Sequence, residues 1–437
     1  MANVMEKIVS LCKRRGFIFP SSEIYGGFGG FWDFGPLGVE LKNNIKSMWW
    51  RFFVSQRNDV YGLDSSIIMN PRIWEASGHT GSGFADPLKE CKQCHHRFRG
   101  DDLLGENCPD CHGELTEEKK FNILVKTYIG PVEDTSALAY LRGETAQAIF
   151  VNFKNILDTF HPRLPFGIGQ VGKAFRNEIT PGNFIFRSRE FEQMELEYFI
   201  DPRQDEEQFK YWKDFCYQFL VVLGLKKENL RFYDHPKEKL SHYSKGTSDI
   251  EYQFPFGWSE LWGIARRSDF DLTQHSKFSG KKLLYQDLTT GETLIPYVIE
   301  PSVGVDRLLL AIMSDAYRED GKRVVLNLSP TLSPFKVAVF PLVSNKAELI
   351  KTARHIYEDL KRSFNCVWDD RGNIGKRYFS QDEIGTPWCV TVDYQTLENQ
   401  SVTVRDRNTA TQIRVKIGEL EKYFTDLLLL GESVDKK

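Results

Sequence analysis

The chain has no apolar run approaching the ~20 residues needed to cross a bilayer. Its first fifteen residues mix Glu6, Lys7, Lys13, Arg14 and Arg15 into the apolar pattern, so a signal-peptide core is lacking as well. Charge of one sign is also lacking: 57 Lys and Arg stand against 60 Asp and Glu, a net −3. That excludes a global field for nucleic acid and leaves only local basic patches for such contacts. Cysteine is sparse, and four of the eight (Cys12, Cys216, Cys366, Cys389) stand singly, as buried thiols do in a reducing compartment and disulfide frameworks do not. There is no internal repeat and no low-complexity tail. These absences predict a cytoplasmic globular protein with no membrane partner. At 437 residues it exceeds one ordinary core, so two or three domains are expected.

Aromatics, in contrast, are plentiful at 13%. Residues 38–54 predict an amphipathic helix with Leu41, Ile45, Met48, Trp49 and Phe52 on one stripe. Trp49 and Trp50 beside Phe52 and Phe53 are more apolar surface than one stripe hides. A subunit interface is expected to take the remainder, with core packing as the alternative. Further helices are expected over 145–157, 204–223 and 303–317, and strands around 250–254, 260–264 and 294–300. Pro330 and Pro334 mark a linker. Beyond it, strands at 336–342, 365–369 and 388–393 alternate with helices, and a hairpin at 401–417 follows, which predicts a small α/β domain with a mixed sheet.

Residues 86–120 are polar and hold two CxxC knuckles, Cys91/Cys94 and Cys108/Cys111, with thirteen residues between them. Four thiolates close a tetrahedral shell and leave no open position, which is the pattern of a structural zinc site. A redox reading needs only one pair and leaves the other unexplained. His95, His96 and His112 flank the knuckles, and Arg97 and Arg99 are candidates for contact with RNA or with a site.

The densest chemistry lies in Lys173–Glu178 and Phe186–Glu195, two predicted strands joined by a turn at Pro181, Gly182 and Asn183. Alternate strand residues share a face, so Arg176 and Glu178 are expected on one side of the first strand, and Phe191, Gln193 and Glu195 on one side of the second. A cation for phosphate, carboxylates for amino groups and a ring for a base suit a nucleotide bound beside an amine. A third segment, Glu300-Pro301-Ser302-Val303-Gly304-Val305-Asp306-Arg307, runs from strand into helix. Gly304 there permits close approach of a ligand, and Arg307 offers a planar guanidinium for stacking or phosphate.

These three segments resemble motifs 1, 2 and 3 of the class II aminoacyl-tRNA synthetases, and much of the chain is similar to the dimeric bacterial-type glycyl-tRNA synthetases. The matching strings are Tyr25-Gly26-Gly27, Trp32 to Gly38, Asn70-Pro71 with Trp74 to His79, Gly143 to Gln147, Phe175 to Glu178, Ser241 to Ser244, Phe254 to Ala265, Glu300 to Ser302, Gly375 to Tyr378 and Asp382 to Pro387. The resemblance implies an α+β catalytic domain with an antiparallel sheet over 1–85 and 121–330, a zinc-knuckle insertion over 86–120, and an α/β anticodon-binding domain over 335–431. It implies a homodimer that joins glycine to tRNA(Gly), with ATP as substrate, Mg²⁺ on its phosphates and a structural Zn²⁺ on the four cysteines.

By the same resemblance Arg176 would hold the α-phosphate, Glu178 the adenine amino group, and Phe191 and Arg307 would sandwich the ring. These contacts make Arg176, Glu178 and Arg307 the catalytic set. Asn177, Phe186, Arg187, Glu260, Leu261 and Gly304 complete the ATP site, with Arg187 a second neutraliser. Glu260 and Glu300 would reach magnesium-bound phosphates or the amine. Glycine would be held among Arg99, Glu144, Phe191, Gln193, Glu195, Glu300, Ser302 and Gly304. Such a site rejects larger amino acids sterically, because a missing methylene alone is worth only ~1–3 kcal/mol. Arg371, Lys376, Arg377, Arg405 and Arg407 would form a basic rim for the anticodon. The family usually carries Arg-Pro-Glu and a glycine where this chain has Arg142-Gly143-Glu144 and Ala148, a looser turn expected to weaken glycine binding. A synthetase for threonine, proline or serine, and a synthetase-like RNA-binding module, are the alternative readings.

Overall fold

Seven strands carry the larger part of the chain: β1 (Val60–Leu63), β2 (Phe166–Phe175), β3 (Glu190–Ile200), β4 (Leu230–Asp234), β5 (Gly246–Phe254), β6 (Gly257–Ser268) and β7 (Tyr297–Gly304). The structure, a computed structural model, describes residues 2–81, 84–103, 105–236, 238, 240, 244–287 and 289–430. The sheet runs β4-β5-β6-β7-β3-β2-β1. All its pairings are antiparallel except the edge pair β2–β1.

Period-two alternation gives the sheet two unlike faces. On β3, Met194, Leu196, Tyr198 and Ile200 join Trp262 and Ile264 of β6 and Ile299 and Val303 of β7 in one buried core. Four helices cover that face: α1 (Ala2–Arg15), α2 (Pro36–Trp50), α4 (Asp205–Val222) and α6 (Val305–Ala316). The opposite face carries Gln193, Glu195, Glu197 and Glu300, all buried. Only its far end is apolar, where Ile168, Phe199 and Val298 pack against α3 (Ala146–Phe160) and Leu272 of α5 (Phe270–Ser279).

The structure departs from expectation in three places here. The helix predicted over 38–54 ends at Trp50 and continues as one wide π turn over Arg51–Ser55. That turn inserts Phe53 among Trp212, Phe215, Phe219 and Trp262. Trp49 is fully buried and stacks on Phe53, and Trp50 packs over Gly62, where a Cβ would lie 2.5 Å from its ring. Trp49 is therefore core, and the interface expected of the tryptophan pair gives way to that alternative. The two short strands expected at 250–254 and 260–264 are one long hairpin, β5–β6, turned at Gly257 with φ 122°.

Residues 85–90 pair with 97–99 on one side and 119–122 on the other, a small sheet that carries the cysteine knuckles. Past the linker, β8 (Val337–Pro341), β9 (Cys366–Trp368), β10 (Trp388–Val392), β11 (Ser401–Asp406) and β12 (Gln412–Lys416) form the expected mixed sheet in the order β9-β8-β10-β11-β12. It is flanked by α7 (Ala347–Leu360), α8 (Ile374–Ile384) and α9 (Leu420–Leu430). The expected basic rim is only partly a rim. Arg371 and Lys376 are exposed, whereas Arg377, Arg405 and Arg407 are each under 5% exposed. Arg377 donates to the carbonyls of Pro341 and Gly372, Arg405 pairs with Asp382, and Arg407 donates to the carbonyls of Gly385 and Leu328.

Candidate active site

On the polar half of the sheet, the β3–β7 register pairs Gln193 with Gly304 and Glu195 with Ser302. The neighbouring β6 contributes Gly263 opposite Ser302 and Ala265 opposite Glu300, so small residues leave room above a row of acids. Glu195 is held rigidly: it accepts from Ser302 Oγ at 2.6 Å, from Gln193 Nε2 at 2.8 Å and from the Thr145 backbone N–H at 2.9 Å, and Thr145 Oγ1 donates to it as well. Burial, then the nearby Glu144 charge, raises its pKa.

Glu144 sits one residue before Thr145, at the mouth of α3. His79 Nε2 lies 3.3 Å from its carboxylate, and Gln147 Nε2 donates to it at 3.0 Å. Burial alone would raise its pKa, but His79, Arg267 and Arg176 together hold it below the usual carboxylate range. His79 is fixed in turn by Ser77 Oγ at 2.7 Å. Arg267 pairs with Glu300 and also donates twice to Asp271, at 2.8 and 3.0 Å. Gln147 ties Asp271 and His275 into the same network, at 3.1 and 2.8 Å. Of the residues expected around glycine, the structure brings Glu144, Glu195, Glu300, Ser302, Gln193 and Gly304 together. It adds His79, Thr145, Gln147, Arg267, Asp271 and His275, which sequence reasoning missed.

The other predicted residues form a more open margin. Arg176 and Glu178 lie beyond the end of β2, with Arg176 alone in an isolated bridge to Leu124, and so do not share a strand face. Arg176 Nε donates to the Gly143 carbonyl at 3.0 Å, and its guanidinium lies over Phe84 and Phe191, at 5.3 and 5.5 Å. Arg307 lies 4.4 Å over the Phe186 ring and 3.1 Å from the Glu260 carboxylate. The ring that Arg307 meets is therefore Phe186, while Phe191 meets Arg176. The Arg307 charge also holds the Glu260 carboxyl below its ordinary range. Burial raises Glu178 against the pull of Arg176 and Arg187. Leu261 turns its side chain into the core of the other face, and Asn177 is exposed, with its backbone N–H bonded to Ile123. Arg187 lies 3.6 Å from Asp102 of the inserted sheet, and Arg99 pairs with Asp86 and Asp101 there. Of the family strings, Ser241, His242 and Tyr243 lie outside the described residues.

The four cysteine sulfurs lie within 4.8 Å of one another, with Cys91–Cys111 at 3.4 Å and Cys94–Cys108 at 3.6 Å. A tetrahedral ion with ~2.3 Å bonds to sulfur spaces its ligands by ~3.8 Å, so the cluster fits one such ion. His95 and His112 occupy equivalent left-handed positions, φ 59° and 60°, just after each knuckle. Their backbone N–H groups close the turns onto Cys91 and Cys108, so they shape the knuckles.

Two family models match the chain: "tRNA synthetase class II core domain (G, H, P, S and T)" over residues 132–316, and "Anticodon binding domain" over 336–427. A solved prolyl-tRNA synthetase from Cryptosporidium parvum, complexed with halofuginone and AMPPNP, shares the fold with a TM-score of 0.67 at 15% identity, over 97% of this chain and 77% of its own. The sheet and its flanking domain are thus those of the class II aminoacyl-tRNA synthetases. Among full-length relatives, the glycine–tRNA ligases of Caldanaerobacter subterraneus and Alkaliphilus oremlandii are each 53% identical over 97% of this chain and 98% of theirs. That of Thermobifida fusca is 52% identical over 98% of both. The chain belongs to the glycine–tRNA ligase family.

Burial, with the charges of Glu195 and Glu144, pushes Glu300 up to about 8 despite Arg267. Its unfolded value is near ~4.3. The folded state therefore binds the extra proton between those values, and stability falls as pH rises through that window. With no ligand, the wild-type Tm relative to that of Glu300→Gln is expected to drop steadily from about pH 5 to about pH 8. A difference that is flat or rises with pH in thermal melts contradicts this.

Proposed function

We propose that this chain activates glycine with ATP and transfers it to the 3′-terminal ribose of tRNA(Gly), acting as a cytoplasmic homodimer of the bacterial type. The observation that carries the reading is the Glu195 carboxylate, buried and fixed by Ser302, Thr145 and Gln193, with Glu144 and Glu300 beside it. A small amine is the ligand that such a concentration of buried acid suits. With the floor filled by glutamates, a substrate side chain would meet carboxylates, and glycine alone has none to place.

Arg176, Glu178, Phe186, Arg187, Phe191, Glu260 and Arg307 line the margin where ATP is expected, together with the backbone around Asn177, Leu261 and Gly304. The glycine carboxylate attacks the α-phosphorus, the bond to the bridging oxygen breaks, and diphosphate leaves. The protein contributes alignment and charge neutralisation, with Arg176 at the α-phosphate. Glu260, exposed and near Arg307, is the carboxylate suited to Mg²⁺ carried in on the phosphates, since that ion needs only one or two protein carboxylates. Held there, Mg²⁺ would add positive charge to offset that of the leaving diphosphate. Arg99, expected near glycine, belongs in this reading to the margin of the inserted sheet.

Residues 1–85 and 121–330 are read as the catalytic domain, 86–120 as a zinc-binding insertion and 335–431 as the anticodon-binding domain, whose Arg371 and Lys376 are the members of the expected rim that stay exposed to RNA. Among the described residues no helix is long and apolar enough to cross a membrane. A second copy is supported by the apolar loop of Ile24, Tyr25 and Phe28, which are 88%, 86% and 60% exposed.

Amino-acid-dependent ATP–pyrophosphate exchange tests the activity: glycine is expected to support it, and alanine, serine, threonine and proline are not. Ser302→Ala removes a hydrogen bond to a buried acid and should raise the glycine KM about tenfold or more, with the ATP KM nearly unchanged. Exchange driven by another amino acid, or none with glycine, overturns the assignment. Metal analysis should find one zinc per chain, lost in Cys108→Ser, and a zinc-free wild type would refute the insertion's role. Light scattering should give twice the 50.6 kDa of one chain, and a monomeric mass would refute the dimer.

A further inference from the structure

Glu197 has no part in the reading above, yet it is the most deeply placed acid of the cluster. It is fully buried, and neither carboxyl oxygen has a hydrogen-bond partner. It lies on the same face of β3 as Glu195. The register that pairs Glu195 with Ser302 and Tyr198 with Ile299 sets it directly opposite Glu300 on β7. Like charges directly opposite each other on neighbouring strands repel, and here the repulsion falls between buried groups, where it is strong. Glu195, on the same strand face, adds a further acid beside it. The guanidinium of Arg267 already donates to Asp271 and pairs with Glu300. Ile168 of β2, Phe199 and Val298 close the apolar end.

We propose that Glu197 is a positioning residue for glycine: a buried carboxylic acid, kept protonated, that backs the Glu300 carboxyl and limits the negative charge facing the substrate amine. As a neutral acid it can present its O–H toward Glu300 from behind, so that Glu300, once the substrate ammonium drives off its own proton, turns its charged edge to the amine. It also keeps one surplus charge out of a cluster that holds four glutamates and Asp271 against Arg267 and Arg176. Burial and the facing Glu300 raise its pKa well above the ordinary value, in agreement with the geometry. An apolar residue of the same size would fill the space and lose the contact. A charged one would restore the repulsion.

The inference rests on glycine as substrate, and its test separates the two. Glu197→Gln keeps a neutral donor of the same shape, whereas Glu197→Met keeps only the volume. In glycine-dependent pyrophosphate exchange, Glu197→Gln is expected within about threefold of wild type in glycine KM. Glu197→Met should raise that KM at least tenfold and leave the ATP KM nearly unchanged. A methionine variant that matches wild type, or a glutamine variant that fails as badly as methionine, overturns the proposal. Should the methionine variant not fold, infrared spectroscopy of the ligand-free enzyme near neutral pH decides. The wild type should show the carbonyl stretch of a protonated carboxylic acid that Glu197→Gln lacks, and identical spectra in that region overturn the proposal. If wild type shows no exchange with glycine at all, the substrate assignment falls, while the infrared result still reports on the proton.

Discussion

Burying several carboxyl groups on one sheet face is the constraint around which the rest of the molecule is arranged. Each charge removed from water costs several kcal/mol unless it is paired or protonated. The structure answers with partners. Arg267 is divided between Asp271 and Glu300, His79 and Gln147 hold Glu144, and three residues donate to Glu195. They come from β3, β6 and β7, from α3 and α5, and from the turns at His79 and Thr145, so many separate elements share in fixing the row.

The reverse face of the same strands explains why the row stays in register. Met194, Leu196 and Tyr198 alternate with the acids and are packed beneath α2, α4 and α6. A slip of one residue would turn all of them toward the site and the glutamates into the core. Glu192 shows the limit of that alternation. It lies on the helix side, and Lys42 and Lys46 of α2 neutralise it, at 2.8 and 3.1 Å. Lys42 also reaches Asp306 at the start of α6, at 2.6 Å, so one buried lysine links α2, the central strand and the helix that carries Arg307.

What could be read from the sequence follows the same physics. The face of β3 was legible because strand period is independent of context, and the four cysteines because spacing alone defines their geometry. Arg267 was not, since the register shifts between Arg266 and Ser268 and the bulge resets which side each residue takes. His79 and Thr145 act from turns, where no periodicity exists to betray direction. The shared face assigned to Arg176 and Glu178 fails for the same reason: the strand ends at Phe175. In the last domain the sequence displays the charges of Arg377, Arg405 and Arg407 but not the backbone carbonyls that draw them inward. Arginine with its donors satisfied is as much a core residue as an exposed one.

Those inward arginines matter for how the two larger units meet. Asp382 on α8 is completely buried and accepts from Arg405 of the neighbouring strand β11, at 2.8 and 3.0 Å, and from Arg323, which precedes the linker, at 3.1 Å. Arg407 reaches across to Asn327 and the Leu328 carbonyl, and the α1 residues Arg14 and Arg15 pair with Glu383. Losing one member of such a set strands a buried charge, which costs far more than an exposed pair returns. The C-terminal end of α8 is thereby fastened from two sides, while its opposite end carries the exposed Lys376, a few residues from Arg371. A contact made by RNA at that free end would bear on a helix whose other end is locked to the strands and linker leading back to the catalytic sheet.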